Sequence, residues 1–137
     1  DTALLFERTY ESLKRGIAAA VLGNTIASIG KAVEEYIKPF KYGIVRDLVG
    51  HGVGYEVHED PRVPNYYDAS LEKIKLQPGM VLAIEPMITL GSYKVETAPD
   101  GWGISTVDHS MTAHFEHTII VTEGKPIVAT KRPSEKI

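Results

Sequence analysis

The sequence predicts an α+β domain, with two helices packed on one face of a mostly antiparallel β-sheet. Three observations point there. Apolar residues recur at helical spacing near the start of the chain, and short β-rich runs separated by Gly and Pro fill the remainder. No internal repeat or low-complexity stretch interrupts this order, and helices followed by strands is the order of α+β rather than alternating architecture. At 137 residues the chain has the length of one ordinary domain and can bury a continuous core.

The first helix is expected from Ala3 to about Leu22, where Leu5, Thr9, Leu13, Ile17 and Ala20 or Val21 form one stripe and Gly23-Asn24 ends it. The second runs from about Ile26 to Ile37, with Ile26, Ile29, Val33 and Ile37 inward, and Pro39 stops it. Strands are expected at Ile44 to Val49, Met80 to Met87, Lys94 to Thr97, Ala113 to Val121 and Ile127 to Thr130, punctuated by turns such as Gln77-Pro78-Gly79 and Pro99-Asp100-Gly101. The longest irregular connection, Pro61 to Gln77, is of the kind that often lines a site. A chain starting at Asp1 and running almost at once into a helix is expected of a fragment.

Composition narrows the chemistry. A net charge of −3 without any Lys/Arg run argues against a nucleic-acid surface. No apolar run approaches the ~20 residues of a membrane span, and no signal-peptide pattern opens the chain, so a cytosolic location is expected. The absence of cysteine leaves only His, Asp and Glu to hold a metal, a set suited to hard or borderline divalent ions.

Three runs carry candidate chemistry. In Gly50-His51-Gly52-Val53-Gly54-Tyr55-Glu56-Val57-His58, the glycines let the backbone turn sharply and expose the His51 imidazole, while their spacing is wrong for a dinucleotide loop. In Val81-Leu82-Ala83-Ile84-Glu85-Pro86, a carboxylate ends an apolar strand, where it must be paired or bound to a metal. In Ala113-His114-Phe115-Glu116-His117, period-two alternation puts Glu116 on the face of His114, not of His117. Each run alone admits a plainer reading: a hydrogen-bonded loop histidine, a core Glu satisfied by Arg or backbone N–H groups, and a cross-strand polar pair. Together they offer one His and two carboxylates, a set that suits Mn, Fe, Co or Zn acting on water.

The runs GHGVGYEVHEDPRVPNY, LQPGMVLAIEPMI, DGW and AHFEHTIIVT, in this order, resemble the carboxy-terminal half of methionine aminopeptidases, of the pita-bread family of dinuclear metallohydrolases. Glu85 and Glu116 stand only 31 positions apart, which leaves no room for the helical insertion of type II enzymes, so type I fits better. The resemblance implies half of a pita-bread fold over residues 1–137, and a metal-dependent aminopeptidase that removes N-terminal methionine from peptides and nascent proteins when the next residue is small. It implies His51, Glu85 and Glu116 as metal ligands, with Glu116 bridging two ions. It further implies Glu85 as the proton-handling carboxylate, His58 as a catalytic, substrate-binding histidine, and Trp102 beside the methionine pocket.

The intact family enzyme holds two divalent ions (Co, Mn, Fe or Zn). Its two aspartate ligands and a further substrate histidine lie in the amino-terminal half, and Asp1 is not assigned to either. Four carboxylates neutralise two divalent ions, whereas Glu85 and Glu116 bring two charges, so at most one weakly held ion and an incomplete catalyst are expected here. The expected partners are a peptide or nascent-chain N-terminus, and either a separate amino-terminal half or a second copy; neither nucleic acid nor membrane is expected. The rival readings are a proline-specific aminopeptidase or dipeptidase of the same fold, and a non-catalytic pita-bread binding module.

Overall fold

The computed structural model describes residues 1–137. Two helices, α1 (Thr2–Ala18) and α2 (Ile26–Ile37), precede ten short strands: β1 (Gly43–Ile44), β2 (Gly50–Gly52), β3 (Glu59–Val63), β4 (Val81–Ile84), β5 (Met87–Thr89), β6 (Val95–Thr97), β7 (Ile104–Thr106), β8 (Thr112–His114), β9 (His117–Ile120) and β10 (Ile127–Val128). All pairings are antiparallel. A five-stranded sheet runs β10-β9-β4-β2-β3, a three-stranded one runs β1-β5-β8, and β6 and β7 form a separate hairpin. No helix is long and apolar enough to cross a membrane.

The helices follow their apolar stripes. Leu5, Thr9, Leu13, Ile17 and Ala20 are all buried, as are Ile26, Ile29, Val33 and Ile37. The hydroxyl of buried Thr9 donates to the Leu5 carbonyl at 2.7 Å, so it sits in the core without an unmet donor. Asp1 serves as the N-cap of α1, its Oδ1 accepting from the Ala3 N–H at 2.9 Å. α1 ends a turn earlier than its hydrophobic pattern, because the Asn24 side-chain amide donates to the Ala19 carbonyl and Gly23 takes φ +92° to reverse the chain. The main core joins Leu13 and Ile17 of α1 and Ile26 and Ile29 of α2 to Leu82 and Ile84 of β4 and Ile119 of β9.

The strands are shorter than the β-rich runs. Ile44 to Val49 contributes only its first residue to β1, while Met80 to Met87 and Ala113 to Val121 each split in two. β2, β3 and β7 lie where the sequence pattern marks no strand.

The tail after β10 clasps β9. Buried His117 has its Nδ1 2.8 Å from the Thr130 hydroxyl, whose oxygen also accepts from the Thr118 N–H. Its Nε2 stands 3.0 Å from Glu135, and since a carboxylate can only accept, Nε2 donates there. His117 therefore has a structural task, although its neighbour Glu116 faces elsewhere.

Asp108 ties two loops together, accepting from the Ser92 N–H at 2.7 Å and from the Ser110 N–H and hydroxyl at 3.1 and 2.7 Å. These bonds, the Ser92 N–H first, lower its pKa to about 2 from 3.8. A depressed carboxylate pKa means the tie is in full force above the ordinary value and is lost as pH falls towards 2. The Ser92 amide chemical shift, followed by NMR, is expected to titrate with a midpoint near 2. A midpoint near 3.8 contradicts this assignment.

Candidate metal centre

The site lies where two paired strands break together. β4 and β9 pair as far as Ile84 opposite His117, and β5 and β8 resume with Met87 opposite His114. Between these pairs stand Glu85-Pro86 on one strand and Phe115-Glu116 on the other. Pro86 has no N–H to offer the ladder, and the Phe115 N–H reaches its carbonyl across the gap at 3.3 Å. Both chains leave the five-stranded sheet at this seam and enter the three-stranded one, which brings the Glu85 and Glu116 side chains to one place. β2 delivers His51 from the other side of β4, opposite Ala83.

One ligand atom each from His51, Glu85 and Glu116 lies within 4.8 Å of the others. His51 Nδ1 stands 2.9 Å from the Gly52 carbonyl oxygen, which can only accept, so Nδ1 donates there and Nε2 is the nitrogen turned to the carboxylates. Nε2 stands 3.2 Å from Glu85 Oε1. No Lys or Arg pairs with either carboxylate; the other oxygen of Glu85 faces His114 Nε2 at 3.4 Å, and Glu116 has no partner. An Arg-satisfied core Glu is thus not what the fold builds. An imidazole and two carboxylates, which together can bring two negative charges, fit one divalent cation.

A cleft of about 470 Å³ opens beside these donors, lined among others by Asp47, His58, Asp60, Met87 and His114, a volume suited to a small peptide segment. The His58 ring lies 4.0 Å from that of His51, centroid to centroid. The structure therefore brings together His51, His58, Glu85 and Glu116. It does not bring Trp102, which sits 88% exposed at the tip of the β6–β7 hairpin and does not line the cleft. Its turn is held by Asp100, which accepts from the Trp102 and Gly103 N–H groups. Asn65, given no role in the sequence reading, is fully buried beneath the site and donates to the Glu85 carbonyl. Its place at the end of the run GHGVGYEVHEDPRVPNY and in the long Pro61 to Gln77 connection hinted at a part in the site.

Comparison with known proteins gives a consistent picture. Residues 1–123 match metallopeptidase family M24. A methionine aminopeptidase of Borreliella burgdorferi is 52% identical over 127 residues, covering 93% of this chain and 51% of that protein. The crystal structure of the Thermotoga maritima methionine aminopeptidase superposes with a TM-score of 0.90 at 40% identity, over 95% of this chain and 52% of that one. A prolidase from Pyrococcus horikoshii shares the fold at a TM-score of 0.70 and 28% identity, over 98% of this chain and 33% of its own. The chain spans about half the length of the curated relatives it matches.

Proposed function

Because the chain belongs to metallopeptidase family M24, we propose that it is the carboxy-terminal half of a type I methionine aminopeptidase domain and carries half of that enzyme's metal site. The observation that carries this reading is the convergence of His51, Glu85 and Glu116 at the double strand break, next to a cleft walled by His58.

His51 Nε2 and the two carboxylates would hold the ion, of which Mn, Fe, Co and Zn are the candidates for this donor set. A divalent ion supplies Lewis acidity there, lowering the pKa of water and stabilising the oxyanion that develops on the scissile carbonyl. Glu85 would move the proton, a role supported by the nearness of its two carboxylate oxygens to His51 and His114. His58, its ring beside that of His51 in the cleft wall, orients the substrate carbonyl. Two carboxylates balance one divalent ion, so a second ion needs carboxylates from elsewhere. The substrate is a peptide or nascent-chain N-terminus, and with it goes a place in the cytosol.

The partner we propose is an amino-terminal half, docking on the side where β8 forms a sheet edge and Leu4, Phe6 and Met111 are exposed. A mixture of this chain, Mn(II) and a separately produced amino-terminal half is expected to hydrolyse a Met-Ala peptide, and the chain alone to do so weakly or not at all. Preference for an Xaa-Pro peptide overturns the methionine assignment in favour of the prolidase-like reading. An inactive mixture in which this chain pairs with itself points to a binding module.

A further inference from the structure

We propose that Asn65 is a positioning residue for Glu85, its amide fixing the stretch of main chain on which the metal-binding carboxylate is mounted. Asn65 is fully buried, and its Nδ2 donates to the Glu85 carbonyl at 3.2 Å. The orientation of the amide is unambiguous, because a carbonyl oxygen can only accept and only Nδ2 can donate. Glu85 lies just beyond the last paired residue of β4, Ile84, so its peptide has left the β4–β9 ladder. The side chain of Asn65 supplies a donor where the neighbouring strand no longer does.

Two further features mark this contact as more than packing. The other amide atom, Oδ1, is buried without any partner. An unmet buried acceptor is unfavourable, and an apolar side chain of similar shape would leave none at that position, so filling space does not account for an amide here. The segment is also immobilised from behind. A Cβ placed on Gly30 of α2 would meet the Tyr66 carbonyl oxygen at 2.1 Å and that of Pro64 at 2.7 Å, which shows how closely the helix backbone is seated on the residues flanking Asn65. A rigid line thus runs from α2 through Asn65 to the main chain of Glu85. Support of a metal ligand by a hydrogen-bonded neighbour is a known determinant of metal affinity, and here it acts through the ligand's backbone.

The inference rests on the proposed metal half-site, and its test keeps the two apart. Asn65→Leu, with Asn65→Ala as the substitute should the leucine variant not fold, is compared with the unaltered chain in two measurements. One is Mn(II) affinity by calorimetry. The other is amide exchange of Phe115, whose N–H bonds to the Pro86 carbonyl beside Glu85, read against the β4 amides. The expected result is about tenfold weaker Mn(II) binding together with faster Phe115 exchange and unchanged β4 protection. A purely structural asparagine would shift the melting temperature and leave Mn(II) affinity alone, and unchanged affinity in a folded variant overturns the proposal. Should the unaltered chain bind no Mn(II), the half-site reading fails, and Phe115 exchange alone decides: faster exchange sustains the positioning role and unchanged exchange overturns it.

Discussion

Replacing Glu85 with alanine is expected to abolish divalent-metal binding by this chain. Glu85 is the central member of the donor set, with one oxygen against His51 and the other against His114. Without it the remaining donors are one imidazole and one exposed carboxylate, too few and too weakly charged to hold the ion. Metal bound only to the native state stabilises by about 2.7 kcal/mol at a hundred times its Kd, which for a domain of this size is a rise in Tm of roughly 10 °C. The unaltered chain should show that rise with saturating Mn(II), and Glu85→Ala should show none. Glu85→Gln keeps the shape and loses the charge, so it should behave like the alanine variant. Retention of the metal-induced rise in either variant contradicts the assignment of Glu85 as a ligand.

The second large effect is expected from Gly50→Ala. Gly50 lies in β2, between β3 and β4, directly before His51. An added Cβ would stand 2.2 Å from the Ala83 carbonyl oxygen and 3.0 Å from that of Val63, one in each flanking strand. Neither atom belongs to a flexible side chain, so a strand must move. Overpacking of this kind costs about 3 kcal/mol, and the corresponding fall in Tm is roughly 10 °C. The displaced strand carries His51, so metal affinity should fall with stability. Gly124→Ala serves as the control, since nothing lies within 4 Å of a Cβ there. Thermal melts that rank the two variants equally contradict this reading of the sheet.

The helices were legible because their burial has one period and one cause: both stripes lie on the core, and α2 has the very bounds its pattern predicts. The strands were only partly legible, because their ends are set by partners rather than by their own residues. Pro86 announced an interruption after Glu85, but nothing in Phe115-Glu116 marks the matching break, which follows from pairing with the strand that carries Pro86. β3 reads Glu-Asp-Pro-Arg-Val and β2 Gly-His-Gly, neither with strand character; β2 pairs along the edge of β4, and β3 in turn along β2.

The same distinction holds at the site. His51, Glu85 and Glu116 stood out by residue type and by resemblance, and the fold brings them together. Asn65 lies within one of the resembling runs, yet its task did not show there, since a buried amide that serves a backbone carbonyl leaves no periodic or spacing signal. The alternation expected across Ala113 to Val121 survives within β9, where His117 and Ile119 are buried and Thr118 and Ile120 are half-buried. Trp102, expected beside the methionine pocket, stands exposed at the tip of its hairpin.

Calorimetric titration of this chain and of Glu116→Ala with Mn(II), Co(II) and Zn(II) tests most directly whether a metal half-site is built into these residues. Micromolar or tighter binding by the unaltered chain, abolished by the substitution, is the expected result and means the half-site is preformed without further ligands. Absence of binding in both proteins, or binding that survives loss of Glu116, contradicts it and leaves the convergence of His51, Glu85 and Glu116 without a metal to hold.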